Sequence, residues 1–476
     1  YYYPDGEIIS RSGKDTVRFY AIDSVDWILT DKKGYFYSSR NANKKLFFVK
    51  GNDVFSFEQL DFKYNRPDLI LQSLGSKDTS LINAYKRAFE KRITRLGIDP
   101  GLFDSEFSVP ESEILNAGEF REELQTPTIS LKLKAVDTSQ YLDRYNIWIN
   151  DVPIYGQKGK SLSGKKLHEF NEEVTGIRLN PGLNRIEFSV FNGSGFESYR
   201  KPLILQYKPP VAEKENVYFI GIGINEFASG TNSLKWCVND IQELANKLSI
   251  KYGQRLVTID TLFNANVTPE NIKKLKDRLY LTGVNDKVII SFSGHGLVSK
   301  KYDYFLSGYN TDFSNPERGG IPYEDIEYLL DSIPARKKLL LLDACNSGEL
   351  DKSNGLPGKV GESAKQGSEK GGIVKNTGGT ANKNSYQLMR QLFLNLNKGT
   401  GSYIIAAAQD YQAALENSQL GHGIFTYCIL KAIENGTSLN VAQFQEIVRQ
   451  QVVKLSSGKQ EPTTRTETGN YNWKLW

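Results

Sequence analysis

The sequence predicts an α/β fold in which a mostly parallel sheet, covered by helices on both faces, occupies residues 215–476. Two observations carry this prediction. Short apolar runs without Gly or Pro, among them Lys287–Ser293 and Lys338–Asp343, are typical of buried parallel strands. Helical patterns with one apolar face alternate with these runs, as crossover helices do in parallel sheets.

The elements expected in this region alternate between strand and helix patterns. Besides the two runs above they are strands at Val217–Ile224, Arg255–Leu262 and Ser402–Ala408, and helices at Trp236–Ile250, Pro269–Leu281, Phe425–Glu434 and Val441–Lys454. Residues 351–384 interrupt the pattern, because they are rich in Gly, Lys, Ser and Asn and nearly free of large apolar side chains. Such a composition cannot offset the entropy of ordering, so a mobile loop is expected there.

Three regions precede the sheet. Residues 1–22 contain two strand-like runs that resemble the last part of a WD-repeat blade, and an ordinary β-hairpin fits equally well. Residues 23–126 form a mixed α/β connecting segment with one helix pattern near Ser80–Leu96. Residues 127–208 alternate apolar and polar side chains between turns, which predicts a small Ig-like β-sandwich without the Cys pair of antibody domains. The expected role of these regions is to bind a protein partner, sense a signal or act as spacers.

Composition limits the class of protein. A chain of 476 residues suggests about two to four domains. The net charge of +5 is mild for this length and gives no signal for nucleic-acid binding. No stretch approaches about 18 continuous apolar residues, so no membrane span is expected. Three cysteines are too few for a disulfide framework and fit a reducing compartment, so a cytoplasmic location is expected.

Two short motifs contain the residues expected to carry out the chemistry. Gly294–Gly296 (GHG) follows the first buried run, and Asp343–Gly348 (DACNSG) follows the second. Chemistry in open parallel sheets collects past the carboxyl ends of the strands, so an imidazole and a thiol are expected at one edge. There His295 would serve as the base for the nucleophile Cys345. The alternative is that Cys345 is a small buried hydrophobe and His295 a turn residue.

These motifs, their order and their separation of about 50 residues resemble the caspase-like cysteine peptidases, in particular the metacaspase and bacterial orthocaspase branch. The resemblance runs from about Val217 to the C-terminus. It implies a caspase-like fold and a bacterial-type cysteine endopeptidase that uses a Cys345–His295 dyad without a metal or cofactor. The backbone amides of Gly296 and Cys345 are the implied oxyanion donors.

Two acids stand in apolar surroundings. Asp240 lies on the apolar side of its helix, three residues after Cys237, and Asp343 ends a run of leucines. Each needs donors or a cation if it is buried, and a helix N-terminus or loop amides would also serve. In the metacaspase family the matching positions line the S1 pocket, which holds the substrate side chain before the scissile bond (P1); they are Cys237, Asp240, Ser293 and Asp343. Two carboxylates there imply protein or peptide substrates with Arg or Lys at P1.

The loop at residues 351–384 stands where caspase-like enzymes are cut between their large and small subunits. Its lysines suit a basic P1, so self-cleavage is expected at one or more of Lys352, Lys359, Lys365, Lys370 and Lys375. A solvated linker is the alternative. Some metacaspases require Ca²⁺, but Glu349 and Asp351 are followed by Lys352 and no EF-hand spacing is present, so no Ca²⁺ site is expected.

A second GHG motif, at Gly421–Gly423, competes with His295 as the source of the base. It precedes a helical pattern, so His422 is expected in a structural turn, and His168 lies in the β-rich region away from the chemistry. Two other functions stay open. One is a non-catalytic caspase-fold interaction module, and the other is a caspase-like or separase-like effector of a defence system that cuts a single protein target.

Overall fold

The structure, a computed structural model, describes most of the chain. The described residues are 7–12, 15–39, 42, 47–50, 53–98, 101, 108–301, 303–344, 368–369, 399–408, 414–466 and 471–476. Cys345 and most of the predicted mobile loop at 351–384, including all five self-cleavage candidates, lie outside them.

An antiparallel meander opens the described chain. Its strands pair in chain order as β1 (Glu7–Ser12), β2 (Asp15–Ala21), β3 (Trp27–Asp31) and β4 (Phe36–Ser38). The two strands expected within residues 1–22 are therefore part of a longer meander, because β2 also pairs with β3 and β3 pairs with β4. Its origin as a WD-repeat remnant stays a prediction.

A hairpin and three helices follow the meander. They are β5 (Phe47–Lys50), β6 (Asp53–Ser56), α1 (Phe57–Tyr64), α2 (Pro67–Ser73) and α3 (Thr79–Leu96). Helix α3 begins after Asp78, whose carboxylate accepts the Leu81 N–H, and it ends at Gly97 in the left-handed conformation, with φ +66°. The helix expected near residues 80–96 is confirmed.

Two sheets that share one apolar core form the next unit. Their strands are β7 (Glu111–Ile114), β8 (Glu123–Leu124), β9 (Thr128–Val136), β10 (Leu142–Ile149), β11 (Val152–Pro153), β12 (Lys160–Ser161), β13 (Glu169–Arg178), β14 (Gly182–Asn192) and β15 (Leu203–Tyr207). One sheet has the order β11-β10-β14-β15-β8 and the other β13-β9-β7. Leu131 and Leu133 of β9 meet Tyr145, Ile147 and Phe188 from the facing sheet. Strands upstream of residue 127 thus join this unit, and its Ig-like type stays a prediction.

A six-stranded sheet forms the C-terminal half. Its strands are β16 (Val217–Gly223), β17 (Leu256–Phe263), β18 (Lys287–Ser293), β22 (Lys337–Asp343), β24 (Ser402–Ala406) and β27 (Thr463–Thr466). The order is β17-β16-β18-β22-β24-β27, and every pair is parallel except the last, in which β27 runs antiparallel. Two small sheets stand at its edge, one of β19 (Gly296–Val298), β20 (Tyr304–Leu306) and β21 (Ile321–Pro322), the other of β23 (Ser368–Glu369), β25 (Leu415–Asn417) and β26 (His422–Gly423).

Helices cover both faces of this sheet. They are α4 (Cys237–Tyr252), α5 (Pro269–Lys274), α6 (Lys276–Leu279), α7 (Tyr323–Leu330), α8 (Ile424–Asn435) and α9 (Val441–Leu455). Helices α4, α8 and α9 share a core with Phe219, Ile289 and Leu341 on one face. The other three pack on the opposite face, against the side chains that alternate with these along the same strands. Each fully buried Leu or Ile contributes about 1.5–3 kcal/mol, so the doubly covered sheet is the main source of stability in this half.

The prediction of one continuous helix was wrong in one place. The expected helix Pro269–Leu281 is divided into α5 and α6 at Leu275. The Leu275 N–H donates to Ile272 O and the Arg278 N–H to Leu275 O, which is the tighter i to i−3 spacing. Lys276 is drawn into the core at this point, where its ammonium donates to Tyr328 O at 2.7 Å.

The upstream unit contacts the C-terminal half through buried polar groups. The Arg336 guanidinium donates to Asn180 Oδ1 at 2.6 Å and to Arg178 O at 2.7 Å, and the Gln157 N–H donates to Asp331 Oδ1 at 2.8 Å. Burial lowers the pKa of Arg336 to about 10. Among the described residues, no helix has the length and apolar character needed to cross a membrane.

Candidate active site

At the carboxyl-terminal edge of the sheet, the two strands that precede the predicted motifs lie side by side. Strands β18 and β22 are in parallel register, with Ser293 opposite Asp343, and the Gly294 N–H donates to Asp343 O at 3.2 Å. His295 lies two residues past Ser293. The described chain continues past Asp343 only to Ala344, one residue before Cys345. Both motifs therefore leave neighbouring strands at one edge, as the sequence predicted.

His295 is buried and firmly oriented. Its Nε2 lies 2.7 Å from Asn232 O. A carbonyl only accepts, so Nε2 carries the hydrogen and the lone pair of the neutral ring is on Nδ1. The rings of Phe227 and Phe313 pack against the imidazole with centroids 5.5 and 5.3 Å away. This arrangement fixes the tautomer in which Nδ1 accepts a proton.

The backbone around His295 leaves little room. A Cβ at Gly294 would lie 2.7 Å from Ile224 Cγ2 and 2.8 Å from the Phe292 ring, so only glycine fits there. Gly296, the expected oxyanion donor, begins β19 and is opposite Leu306 of β20. The small β19-β20-β21 sheet thus fixes the chain directly after His295.

Asp240 is fully buried in the first turn of α4. Its Oδ2 accepts the Ser293 hydroxyl at 3.1 Å, and its Oδ1 accepts the Gly423 N–H at 3.1 Å and His422 Nδ1 at 3.0 Å. A buried carboxylate without donors costs several kcal/mol, and these bonds offset that cost. Two of the predicted S1 residues, Asp240 and Ser293, are therefore in direct contact.

Asp343 is also buried, with 2% of its surface exposed. Its Oδ2 accepts the Thr426 hydroxyl at 2.6 Å. Thr426 stands in the first turn of α8, three residues after Gly423. One short stretch, residues 422–426, therefore holds both acids, and we name it the 422–426 segment.

The fourth predicted S1 residue, Cys237, begins α4 and is fully buried. Its Sγ lies 3.8 Å from Glu416 Oε1, and Glu416 also accepts the Trp236 N–H at 3.0 Å. A Cβ at Gly223 would lie 2.7 Å from Cys237 O, so a glycine lets the start of α4 approach the edge of the sheet. Glycine and Glu416 together place Cys237 and Asp240 beside Ser293.

Sequence reasoning missed three residues of this site: Glu416, His422 and Thr426. His422 was expected in a structural turn, and it does follow Gly421, whose φ is +69°. It is nevertheless a donor to Asp240, across 182 positions of sequence. The sequence indicated that a buried Asp240 would need hydrogen-bond donors, but no local pattern indicated which residue would supply them.

The other described groups are unsuited to the chemistry expected of Cys345. Burial, together with the nearby charge of Asp343, raises the pKa of the Cys428 thiol to about 12, so this thiol stays protonated at neutral pH. His168 Nδ1 donates to Asp137 O, 2.8 Å away, in the upstream unit. Within the described ranges, no group of three or more His, Cys, Asp and Glu side chains is placed to hold a metal ion.

Comparison with known proteins gives the family. The model of the caspase domain family matches residues 220–470, just over half of the chain. The chain belongs to the caspase family. Members of this family are cysteine proteases, which are hydrolases.

One relative and one solved structure show further similarity. The chain is 31% identical over 142 residues to Metacaspase-1 of Meyerozyma guilliermondii, an alignment covering 27% of this chain and about a third (34%) of that relative. The crystal structure of protein GSU0716 from Geobacter sulfurreducens is similar at a TM-score of 0.37 and 16% identity, over 53% of this chain and 93% of that one. The family match and the metacaspase relative confirm the predicted resemblance to caspase-like proteins of metacaspase type.

Proposed function

We propose that this protein is a cysteine endopeptidase that cleaves after Arg or Lys, with Cys345 as the nucleophile and His295 as the base. The observation that carries the proposal is the orientation of His295. Its Nε2–H is directed to Asn232 O, which leaves Nδ1 as the proton acceptor of the neutral ring, and β22, the strand that precedes Cys345 in the sequence, is the direct neighbour of β18. Family membership supports the same assignment.

The proposed reaction proceeds in two halves. His295 Nδ1 takes the proton of the Cys345 thiol, and the thiolate attacks the carbonyl carbon of the scissile bond. The amides of Gly296 and Cys345 donate to the oxygen that becomes negative. The C–N bond then breaks, and the imidazolium gives its proton to the leaving amine. Water, deprotonated by the same imidazole, hydrolyses the thioester and restores the thiol.

The preference for a basic P1 follows from the two buried acids. Asp240 and Asp343 accept hydrogen bonds from hydroxyl, amide and imidazole donors, which stabilise a carboxylate. Ser293, which stands opposite Asp343 and bonds to Asp240, connects the two. Negative charge beside the nucleophile favours a guanidinium or ammonium at P1 and disfavours a carboxylate.

Self-processing is part of the proposal. The same P1 preference makes the lysines at positions 352, 359, 365, 370 and 375 candidate cleavage sites. Incubation of the purified wild-type chain should give two fragments, and the Cys345→Ala chain should stay whole. A wild-type chain that cleaves peptides well and stays intact would show that processing is dispensable.

The upstream regions are proposed to bind a protein partner or a sensor. Their contacts with the peptidase half include Lys91 of α3, which forms ion pairs with Asp303, between β19 and β20, and with Glu324 of α7. A partner bound upstream could act on the peptidase half through such contacts. No cofactor is part of this proposal.

Covalent labelling tests the dyad. A peptidyl chloromethyl ketone with Arg at P1 should alkylate the wild-type chain once, and peptide mapping by mass spectrometry should place the adduct on Cys345. The Cys345→Ala chain should not react, whereas Cys428→Ala should react normally because that thiol stays protonated. A folded wild-type chain without an adduct at Cys345 would favour the non-catalytic interaction module.

A further inference from the structure

Two aromatic rings pack against the imidazole of His295, and they differ in their exposure to solvent. Phe227 is buried, with 4% of its surface exposed, whereas Phe313 is only partly buried. The centroid of the Phe313 ring lies 5.3 Å from that of His295 and 4.9 Å from that of Phe227, in both cases edge to face. Phe227 therefore supports the imidazole from inside the fold, and Phe313 is the ring of this pair that keeps accessible surface.

The proposed reaction determines which part of a substrate comes near these rings. His295 gives its proton to the leaving amine, which is the backbone nitrogen of the residue after the scissile bond (P1′). This transfer requires a distance of about 2.6–3.2 Å between the two nitrogen atoms. The P1′ side chain begins two bonds from the leaving nitrogen. It must therefore lie beside the imidazole and the groups that pack on it.

We propose that Phe313 is a specificity-determining residue that lines an S1′ pocket and selects substrates with an apolar side chain at P1′. The inference rests on the proposed function, because it concerns the other side of the same scissile bond. An apolar side chain that covers accessible aromatic surface is favourable, whereas a polar side chain there loses water without gaining a hydrogen bond. The buried acids and Phe313 then contact the two residues that flank one peptide bond.

The loop that contains Phe313 is closed by its own hydrogen bonds. Thr311 Oγ1 donates to Gly319 O at 3.2 Å, and the Asp312 N–H donates to Arg318 O at 3.0 Å. The φ of Gly319 is +73°, a conformation that favours glycine. These bonds restrict the loop before a substrate binds, so less conformational entropy is lost when a side chain packs on the ring.

The same loop is bound to the segment that orients the base. The Ala228 N–H, directly after Phe227, donates to Tyr309 O at 2.9 Å. Four residues after Ala228, this segment supplies the carbonyl that accepts the Nε2–H of His295. The position of the Phe313 ring relative to the imidazole is thus set by backbone contacts, and a P1′ side chain meets a defined surface.

Two quenched fluorogenic peptides test the preference. They are identical, with Arg at P1, except for Leu or Asn at P1′, two side chains of nearly the same size and shape. A change in the dyad alters the cleavage of both peptides alike and cancels in the ratio of their kcat/KM values. Wild type should favour the Leu peptide by about fivefold to tenfold, because only Leu gains from contact with the ring.

Variants separate recognition of P1′ from a structural role. Phe313→Ala should lower the Leu-to-Asn ratio to about one to two, and Phe313→Leu, which restores an apolar surface, should retain most of the preference. Both should keep the wild-type preference for Arg over citrulline at P1, measured with P1′ fixed. The matched control Phe47→Ala removes a ring of β5 that is 64% exposed and should change neither ratio. Thermal unfolding shows which variants are folded.

Photocrosslinking locates the P1′ side chain without a change at Phe313. A peptide with Arg at P1 and benzoylphenylalanine at P1′ is bound to the Cys345→Ala chain and irradiated, and the adduct is mapped by mass spectrometry. The crosslink should fall within residues 309–320. Absence of a crosslink in that range would contradict the inference, whether or not Phe313→Ala folds.

Failure of this inference differs from failure of the proposed function. A wild-type chain that cleaves neither peptide contradicts the proposed function, and with it this inference. A wild-type chain that cleaves the Leu and Asn peptides equally keeps the proposed function and overturns the S1′ assignment. A folded Phe313→Ala chain that retains the full preference for Leu also overturns it.

Discussion

The two edges of the central sheet both bury ionisable side chains, but they compensate for them in different ways. At the amino-terminal edge, Glu215 pairs with Lys287 and Lys337, the first residues of β18 and β22. At the carboxyl-terminal edge, Asp240 and Asp343 accept bonds from hydroxyl, amide and imidazole groups. The first edge pairs a carboxylate with two ammonium groups, whereas the second surrounds its acids with hydroxyl, amide and imidazole donors.

The pKa shifts at the amino-terminal edge agree with pairing of opposite charges. Burial by itself raises the pKa of Glu215, but the charges of Lys337 and Lys287 outweigh it, so the pKa is lowered. Burial lowers the pKa of Lys287 against the attraction of Glu215. We expect the paired cluster to contribute to stability and the two acids at the other edge to contribute to substrate binding.

The largest effect is expected at the base. His295→Ala should reduce kcat/KM by about 10²–10⁴, because the thiol loses its proton acceptor. His168→Ala is the control and should keep wild-type activity, since that ring contacts Asp137 in the upstream unit. Peptide hydrolysis under steady-state conditions measures both, and an active His295→Ala chain would exclude the proposed dyad.

Glu215→Gln should chiefly affect stability. Removing this carboxylate leaves Lys287, with 2% of its side chain exposed, without its ion-pair partner, which costs about 3–5 kcal/mol. Chemical denaturation measures the loss, and the ratio of P1 Arg to P1 Asp cleavage should be unchanged in the folded variant. A shift in that ratio would contradict the division between the two edges.

The pH dependence of stability follows from the same group. The folded pKa of Glu215 is lowered from its ordinary value of 4.5, so its stabilising contribution is complete well above that value. The contribution is lost as pH falls through the lowered folded pKa. Denaturation midpoints of wild type and Glu215→Gln should therefore converge in acid, and a constant difference down to about pH 2 would argue against this pairing.

Asp343→Asn is the matched change at the other edge. The Asn side chain still accepts the Thr426 hydroxyl, so stability should change little. Cleavage after Arg should fall by about 10–100-fold relative to a neutral P1, because one of two pocket charges is gone. A variant that loses stability but keeps its selectivity would assign Asp343 to structure instead of substrate binding.

The smallest effect is expected at Thr426. Thr426→Val removes the hydroxyl that orients Asp343 and should weaken Arg selectivity by about threefold to tenfold. Thr426→Ser keeps the hydroxyl and should restore wild-type values. Matched kcat/KM measurements on the two variants decide whether the bond or only the packing matters.

The sequence predicted the parts of the fold that depend on local pattern. Strand β18 has the bounds expected for it, because a continuous buried run is marked by polar turns on both sides. Helix α7 and strand β27 were not predicted, although α7 has the buried spacing of an amphipathic helix. Strand β27 is a short antiparallel edge strand of threonines and Arg465, whose place depends on pairing with β24.

Prediction of the site from the sequence has the same limit. The sheet edge and the acids Asp240 and Asp343 followed from strand ends and helix faces. The partners of those acids did not, because the 422–426 segment approaches α4 and β22 only through tertiary packing. A buried acid can be recognised from the sequence, and its donors become known from the fold.

One measurement tests the central claim most directly: kcat/KM for two peptides that differ only in P1, Arg or Asp, with wild-type protein and with Cys345→Ala. We expect wild type to cleave the Arg peptide at least about 100-fold faster than the Asp peptide, and Cys345→Ala to cleave neither. Equal cleavage of both peptides, or an active Cys345→Ala chain, would contradict the account.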